Sequence, residues 1–308
     1  MPENIMLLAC GSFNPPTPMH FRMFEIAGND YRGSREVNVI GGIVSPVHDS
    51  YKKPNVQLVS SEHRCKMIKM SLQSSDWIRL SSWECKRKQW SPTLEVLQYH
   101  QNYLNSILKD DNEYWMENVP NWMPSNIAEY KERQIKVKLL CGADLLESFA
   151  NRNLWNDTEL ETILREHGVV VIARNGSNPQ KFVFNSDLMY EYKNNITIIE
   201  NWVPNEISST LARLHLRRGL SVKYLLNDEV IEYIHDKKLY QSDLKHRAIS
   251  EQFKINETSF YSDQPKSDKL NMDVTDSSPR KRNSDNQCSQ ILSSPKRKYA
   301  LRSQADDK

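Results

Sequence analysis

A short apolar run that ends at a glycine, with prolines and a helical pattern behind it, constrains this chain most. Residues 5–10 form an unbroken apolar run closed by Gly11, which is typical of a buried strand in a parallel sheet. Beyond the prolines, Phe21, Phe24 and Ala27 recur at helical spacing. The segment is therefore predicted as strand, tight turn and helix. In α/β sheets, the turn at the carboxyl end of the first strand is where phosphates bind.

Two residues of this turn suit an anion. Gly11 has no side chain to keep a ligand from the backbone, and His20 would begin the helix, where an imidazole near exposed N–H groups can meet a phosphate. The alternative is that His20 is only a polar cap or a surface residue. The turn contains neither Gly-x-Gly-x-x-Gly nor Gly-Lys-Ser/Thr, so the two commonest phosphate-binding motifs are absent from it.

Strand and helix patterns alternate along the rest of the first 244 residues. Apolar runs predict further strands at 37–44, 77–80, 135–142, 169–173 and 196–199. Periodic segments predict helices at 61–72, 92–108, 145–149, 157–167, 186–193, 208–218 and 224–234. We expect an α/β fold, a Rossmann-like doubly wound parallel sheet with helices on both faces, followed by a disordered C-terminal tail.

Two segments depart from this alternation and set the domain boundaries. Residues 109–134 have an acidic run, two prolines and no stable period, which favours a mobile insertion without particular consequence in a folded domain spanning 1–244. The alternative is an insertion that overhangs the active site. Residues 245–308 are rich in Ser, Asp, Lys, Asn and Pro and too poor in apolar residues to offset the entropy of ordering, so we expect a disordered polar tail.

Two basic clusters stand out in the tail, each behind Ser-Ser-Pro. They comprise Arg280, Lys281 and Arg282, and then Lys296, Arg297 and Lys298. Such clusters are typical of a nuclear-import signal that an import receptor binds, with phosphorylatable serines beside it. A solvated charged tail on a cytoplasmic protein is the alternative.

Composition excludes several classes of partner. The net charge of +2 gives no general attraction to nucleic acid or membranes, and no apolar run reaches the roughly eighteen residues of a membrane span. The amino terminus lacks the basic start and long apolar core of a signal peptide. The five cysteines are scattered without a Cys-x-x-Cys pair, which indicates reduced intracellular thiols rather than disulfides or zinc.

A second candidate anion site lies far along the chain. Ser208 and Ser209 would cap the helix that follows, so hydroxyls, free N–H groups and the positive end of the helix dipole come together. Arg213 lies about one turn further on, and its planar fork suits phosphate oxygens. Any well-capped helix looks similar, so the pattern is informative mainly in combination with the first turn.

Other candidates are weaker on local grounds. Tyr51 and Lys53 follow the second strand and would suit a mononucleotide phosphate, although a solvated basic loop is an equal alternative. Asp144, just past Gly142 at a strand end, would bind a ribose or cap the next helix. Trp90 and Trp155 are candidate aromatic platforms, but an isolated tryptophan is more often part of the core.

These segments together resemble a known family. Gly11, Phe13, Pro15, Thr17 and His20 fall in register with the Gly-x-Phe-x-Pro-x-Thr/His-x-x-His signature of the adenylyl- and cytidylyltransferases. The stretch from Lys138 to Phe149, the Asn153-Leu154-Trp155 tripeptide and Ile207-Ser208-Ser209-Thr210 with Arg213 complete the likeness. Over residues 5–240 the chain resembles the eukaryotic nicotinamide mononucleotide adenylyltransferases, in which Thr also replaces the first His.

The resemblance implies an activity. Members of that family condense nicotinamide mononucleotide, or its nicotinic acid analogue, with ATP to give the dinucleotide and pyrophosphate. The expected partners are therefore ATP and the two mononucleotides, with Mg²⁺ carried mainly by the ATP phosphates and waters because no Asp-x-Asp cluster is visible. Family members commonly form homo-oligomers, so we expect one here.

The resemblance also implies roles for individual residues. His20 and Arg213 would be catalytic, contacting the reacting phosphates. ATP would be bound by these two together with Gly11, Ser12, Phe13, Gly142, Asp144, Asn205, Ser208, Ser209 and Thr210. The mononucleotide would be enclosed by Ser12, Tyr51, Lys53, Trp90, Thr93, Leu154 and Trp155, with the tryptophans stacked on its pyridinium ring.

Three alternatives stay open from the sequence. The first is a sister transferase of the same fold with another phosphomonoester substrate, which the tryptophans and the Ser-Ser-Thr motif argue against. The second is a non-enzymatic chaperone or holdase-like role, alongside catalysis or in place of it. The third, a nucleic-acid binder that uses the tail, is weak because the basic charge sits in short clusters.

Overall fold

The architecture follows from six short apolar strands that pair in one sheet. The computed structural model describes residues 2–52, 56–109, 119–130, 134–174, 176–203 and 205–242. Within them the strands are β1 (Glu3–Gly11), β2 (Val37–Pro46), β3 (Ile78–Leu80), β4 (Ile135–Gly142), β5 (Val169–Ile172) and β6 (Ile196–Ile199). They are ordered β3-β2-β1-β4-β5-β6, and every neighbouring pair is parallel. The chain reverses its direction of winding between β1 and β4, which is the topological switch point where ligands bind in such sheets.

Helices connect these strands and cover both faces of the sheet. They are α1 (Pro18–Tyr31), α2 (Ser61–Ser71), α3 (Thr93–Lys109), α4 (Ala143–Ser148), α5 (Asp157–Thr162), α6 (Pro179–Phe184), α7 (Asp187–Glu191), α8 (Ser209–Arg218) and α9 (Asp228–Asp236). Short helical turns cover Glu84–Lys86, Ile127–Tyr130, Ile163–His167, Lys193–Asn195 and Leu239–Gln241. None of the helices in the described part of the chain is long and apolar enough to cross a bilayer.

Alternate residues of β1 point to opposite faces and seed two cores. Met6 and Leu8 pack with Leu97 of α3 and Leu146 of α4, and all of these side chains are fully buried. Ile5 and Leu7 pack on the other face with Phe24 of α1 and Ile68 of α2. This two-sided burial explains why the strands read as continuous apolar runs rather than as alternating patterns.

The predicted fold class is confirmed by this doubly wound parallel sheet. Each predicted strand is present, and the α8 prediction holds in detail because the Ser208 hydroxyl accepts from the Leu211 amide and Gly219 ends the helix with a φ of 67°. The helix expected from 224 begins later, at Asp228, and α6 was missed. The predicted tail at 245–308 and its two basic clusters lie outside the described residues.

The expectation of a loose insertion over 109–134 needs correction. Trp122, Met123 and Ile127 are each less than 5% exposed and belong to the core that covers β4. The Trp122 ring lies edge-on to buried His100 of α3, with 4.7 Å between ring centroids. These apolar side chains fill the space beside α3. Because most of the segment at 119–130 has no regular secondary structure, the sequence shows no helical or strand period there. Residues 110–118 and 131–133 lie outside the described part.

We predict that Gly42→Ala destabilises the protein while Gly28→Ala does not. A Cβ at Gly42 would lie 2.6 Å from Cδ1 of the fully buried Phe24 ring, which holds α1 against β2. The crowding should lower the free energy of unfolding by about 1–3 kcal/mol. At Gly28, inside α1, the closest atom would be 3.4 Å away on Trp77, an ordinary contact, and alanine favours the helix. Urea titration of both variants measures the difference, and equal stabilities would contradict this account of the α1–β2 contact.

Candidate active site

The turn after β1 is held in an unusual conformation beneath the switch point. Phe13 has a positive φ of 46°, and its side chain is 2% exposed. A Cβ on Gly11 would lie 3.3 Å from two atoms of the Phe13 ring, so a side chain there would crowd the ring that shapes the turn. The Gly11 carbonyl also accepts a hydrogen bond from the Val47 amide at 2.9 Å, which ties the end of β1 to the end of β2. Packing of the Phe13 ring therefore favours a glycine at position 11, and the ligand contact predicted for Gly11 stays a prediction.

His20 is oriented by the residue that precedes its helix. The Thr17 backbone N–H donates to Nδ1 of His20 at 2.9 Å, and the Thr17 hydroxyl lies 2.8 Å from the same atom. Because a backbone N–H can only donate, Nδ1 acts as an acceptor and the ring proton resides on Nε2. The Phe13 ring packs edge-on against the imidazole at 5.1 Å between centroids. The imidazole is thus fixed with an N–H donor on its far side.

The two predicted anion sites meet in the structure. Nη1 of Arg213 donates to the Asn14 carbonyl at 2.7 Å, and the Ser209 hydroxyl donates to the Pro15 carbonyl at 2.8 Å. The amino terminus of α8 is therefore docked directly on the turn that leads to His20. By helix geometry the amides of Ser209 and Thr210 have no partner within α8, so they are available at the positive end of its dipole.

The positive charge of Arg213 is not neutralised by a carboxylate among the described residues. Its guanidinium donates instead to the Asn14 carbonyl and, at 3.3 Å, to the Thr210 hydroxyl. Partial burial, with repulsion from Arg217, lowers the pKa of Arg213 from its ordinary value. A phosphate placed here would stabilise the charged form, which is the behaviour expected of an anion-binding group.

The turn after β1, the end of β2 and the amino terminus of α8 contact one another and form what we call the crevice. Asn14 lies in this turn and was not among the predicted site residues. Its side chain is completely buried. Oδ1 accepts from the Val59 amide at 3.2 Å and from the Tyr240 hydroxyl at 2.9 Å, and Nδ2 donates to the Gln57 carbonyl at 3.1 Å. Burial raises the pKa of Tyr240, so this hydroxyl keeps its proton and acts as the donor.

Arg64 of α2 is the second residue that sequence reasoning missed. Its side chain is completely buried and donates to the carbonyls of Ser12 at 3.0 Å, Val47 at 2.7 Å and Val59 at 2.9 Å. It also forms an ion pair with Asp49 at 2.8 Å. Partial burial would raise the pKa of Asp49, but hydrogen bonds from Arg64 and Ser61 lower it. An arginine in an amphipathic helix gives no local signal that distinguishes this role from solvent exposure.

Asp144 and Asn205, both predicted to bind ATP, line one cavity. The cavity has a volume of about 450 Å³ and lies beside the end of β4 and the chain that enters α8. Asp144 is in the first turn of α4, and its carboxylate is paired with Arg174 at 2.8 Å. Asn205 accepts from the Ile207 amide at 2.8 Å. Gly142 ends β4, and a Cβ there would meet only the Met23 sulfur at 3.9 Å, which leaves open space beside the strand end.

The residues predicted to enclose the mononucleotide fall into two groups. Tyr51 lies beside Trp90 with 5.9 Å between ring centroids, Trp90 is 40% exposed, and half-buried Thr93 begins α3 just behind it. Trp155 packs edge-on against Phe149 and donates from its indole to the Ser148 hydroxyl at 3.0 Å, beside exposed Leu154. Lys53 lies outside the described residues. The ligand assignments of all these residues stay predictions.

A buried carboxyl group supports the loop after β2. Glu84 is 1% exposed, and its Oε2 accepts from the Ser45 hydroxyl at 3.2 Å. Burial, which outweighs the hydrogen bonds from Ser45 and the His48 amide, raises the pKa of Glu84 to about 8. The Glu84 carboxyl is therefore protonated at neutral pH. It lies close to the backbone after β2, where Arg64 donates to the Val47 carbonyl.

Comparisons with known proteins identify the family to which this chain is similar. Residues 8–214 match the family described as cytidylyltransferase-like. The chain is 50% identical to nicotinamide-nucleotide adenylyltransferase of Drosophila melanogaster over 248 residues, which cover 79% of this chain and 62% of that protein. It is 39% identical to nicotinamide/nicotinic acid mononucleotide adenylyltransferase 1 of Bos taurus, over 80% of this chain and 92% of that protein.

A solved structure shares the fold at low sequence identity. It is the nicotinic acid mononucleotide adenylyltransferase of Plasmodium falciparum complexed with APC, with a TM-score of 0.53 and 17% identity over 79% of this chain and 99% of that chain. The same protein complexed with NaAD gives a TM-score of 0.52.

We predict that Glu84 contributes a fall in stability as the pH rises from about 5 to 8, and that Glu84→Gln removes this contribution, whereas the lowered pKa values of His100 and His167 act in the opposite direction at the acid end of this range. Because the pKa of Glu84 is about 8 in the folded chain and near 4.5 when unfolded, unfolding releases a proton throughout this window. The contribution of neutral Glu84 to the free energy of unfolding is complete below the pKa of the unfolded state. It is lost as the pH approaches the pKa of the folded state. The slope from this group is at most about 1.4 kcal/mol per pH unit. Thermal melts of both proteins at several pH values measure it, and parallel curves would contradict the buried neutral carboxyl.

Proposed function

This chain belongs to the cytidylyltransferase-like family, among its nicotinamide/nicotinic acid mononucleotide adenylyltransferases, and on that premise we propose that it joins ATP to nicotinamide mononucleotide or nicotinic acid mononucleotide. The products are NAD or deamido-NAD and pyrophosphate, which makes the chain an enzyme of NAD biosynthesis. The observation that carries the proposal is the docking of Arg213 and Ser209 on the β1 turn, because it gathers two anion-binding segments 194 to 199 residues apart into one crevice.

The reaction needs positioning and charge neutralisation rather than a covalent enzyme intermediate. A phosphate oxygen of the mononucleotide attacks the α-phosphorus of ATP in line, and the bond from that phosphorus to the β-phosphate oxygen breaks. Negative charge grows on the departing pyrophosphate. Fixed donors that already surround this charge lower the barrier without having to reorganise.

The chain's own groups take distinct parts in this scheme. His20 contacts the reacting phosphates, and the Thr17 amide, which donates to Nδ1, orients its ring. Ser208, Ser209, Thr210 and Arg213 hold the triphosphate at the start of α8, and Gly11, Ser12 and Phe13 line the turn that receives it. Asp144 and Asn205 hold the adenosine side in the 450 Å³ cavity, and Gly142, at the end of β4, contributes from the strand end beside it.

The mononucleotide is enclosed by the two aromatic groups and their neighbours. Tyr51 and Trp90 form one wall, with Thr93 behind them, and Leu154 and Trp155 form the other. Lys53 and Ser12 complete the set. The tryptophan faces suit a pyridinium cation, which a π-system attracts more strongly than a neutral ring.

We propose that Mg²⁺ arrives with ATP, bound by phosphate oxygens and waters. The described residues contain no cluster of three or more His, Cys, Asp or Glu side chains that could hold a metal ion, so no residue is assigned as a ligand. Bound in this way, the ion would offset charge on the pyrophosphate.

We also propose a nuclear location. The basic clusters at Arg280–Arg282 and Lys296–Lys298, which an import receptor would bind, support it.

The first prediction from this mechanism is that His20→Ala removes most turnover and leaves the fold intact. Loss of a donor aimed at charge that develops in the transition state should lower kcat by about 10²–10³-fold. Dinucleotide synthesis and pyrophosphate release from ATP, Mg²⁺ and each mononucleotide measure the effect, with circular dichroism to verify folding. His215→Ala, at the opposite end of α8, is the matched control and should retain activity. Near-normal turnover by the His20 variant would count against the assignment.

The second prediction separates the two substrates. Trp155→Ala should raise KM for the mononucleotide more than KM for ATP, because it removes a stacking surface for the pyridinium ring. Arg213→Ala is the reciprocal control and should raise KM for ATP more than that for the mononucleotide. Steady-state kinetics with each substrate varied in turn give both values. An equal rise of the two KM values in the Trp155 variant would refute the stacking role.

A further inference from the structure

A pair of cysteines lies in contact in a cavity that the adenylyl-transfer site does not use. Cys65 on α2 and Cys85 in the Glu84–Lys86 turn have their sulfur atoms 3.8 Å apart, and both side chains are partly exposed. They line a cavity of about 740 Å³. Cys10 and Cys141, in contrast, lie on β1 and β4, where burial raises the pKa of each thiol.

The cavity around this pair is strongly basic. Its described lining holds Lys66, Lys69, Lys86 and Lys237 against the single carboxylate of Glu62. Such a surface attracts anions and favours a thiolate over a thiol.

The two thiols have different roles in their hydrogen bonds. The Cys85 thiol lies 3.1 Å from the Pro46 carbonyl and donates to it while the pair is neutral, and the Cys65 thiol donates to Cys85. When Cys65 loses its proton, Cys85 can donate to the thiolate instead. This hydrogen bond, with the charges of Arg64 and Lys69, lowers the pKa of Cys65, whereas the pKa of Cys85 is raised. With Lys66 and Lys69 beside it on α2 and with Cys85 held at the Pro46 carbonyl, Cys65 is the better placed of the two thiols to attack.

We propose that Cys65 and Cys85 form a dithiol modification site that is oxidised by anionic low-molecular-weight disulfides and closes into an intramolecular disulfide. The Cys65 thiolate attacks one sulfur of the small disulfide, whose S–S bond breaks and releases one thiolate. Cys85 then attacks the Cys65 sulfur and expels the second thiolate. Two electrons leave the protein thiols and reduce the small disulfide, and the two protons of the cysteines pass to the released thiolates.

Formation of this disulfide should displace residues that support the crevice. The sulfur atoms must approach from 3.8 Å to about 2.05 Å, which draws α2 and the Glu84–Lys86 turn together or turns Cys85 away from Pro46. Cys65 follows Arg64, which holds the Ser12 and Val47 carbonyls, and Pro46 is the last residue of β2. We therefore expect oxidation to slow dinucleotide synthesis by about tenfold or more, since displacements of this size misplace reacting groups.

The test begins with the reduced full-length chain and two small disulfides of opposite charge, anionic glutathione disulfide and cationic cystamine. Peptide mapping after thiol alkylation should find Cys65 linked to Cys85. Glutathione disulfide should react about tenfold faster than cystamine at low salt, and Lys66→Gln with Lys69→Gln should reduce that preference.

Matched serine variants establish the order of the steps. Cys85→Ser should trap glutathione on Cys65 as a mixed disulfide, whereas Cys65→Ser should leave Cys85 as a thiol. Absence of the 65–85 link from the full-length chain, or glutathione on Cys85 of the Cys65 variant at the original rate, would overturn the proposal. These readouts do not depend on which substrates the enzyme uses.

Activity then tests the coupling to the crevice. Oxidised protein should lose dinucleotide synthesis and regain it with dithiothreitol, and the variant with both cysteines replaced by serine should be insensitive to the oxidant. Full activity of the cross-linked chain would overturn the coupling.

Discussion

The buried guanidinium of Arg64 is the interaction on which the crevice depends. A buried cation is costly unless its donors are satisfied, and here they are taken up by three carbonyls and one carboxylate. Ser12 lies after β1, Val47 and Asp49 lie after β2, and Val59 lies just before α2. Because the guanidinium is planar and rigid, it fixes the spacing of three chain segments that the parallel sheet alone brings only to the same edge. The sheet brings these segments to one edge, and Arg64 fixes the distances between them.

Asn14 performs the corresponding task for the distant part of the chain. Its side chain binds the segment at 57–59 and the Tyr240 hydroxyl, while its carbonyl accepts from Arg213. The turn after β1, the loop before α2, helix α8 and the residues after α9 therefore meet at Asn14. A polar group with no exposure would be costly if left unpaired, so each partner has to be in place when the chain is folded. The proposed anion site therefore depends on the whole tertiary structure rather than on one motif.

The sequence was sufficient for elements whose chemistry is local. Apolar strand runs, the Ser208 cap and the Gly219 stop depend on neighbours within a few residues, and they appear where predicted. Arg64 and Glu84 could not be identified in this way, because their burial is imposed by segments distant in sequence and their residue types are typical of surfaces. The packing of Trp122 was hidden for a related reason, since an irregular segment can fill a core without any period. Sequence patterns therefore missed the side chains that support the turn after β1, while the ligand contacts assigned to other residues stay predictions.

Arg64 supports the turn after β1, and Arg213, which contacts the same turn, is proposed to bind a ligand. Both donate to backbone carbonyls of the turn after β1, at Ser12 and Asn14 respectively. Arg64 is also paired with Asp49, so its charge is already compensated. Arg213 is held by a carbonyl and a hydroxyl and has no carboxylate partner in the described part of the chain. Neutral acceptors orient a guanidinium without cancelling its charge, which therefore remains available to an anion that arrives in the crevice.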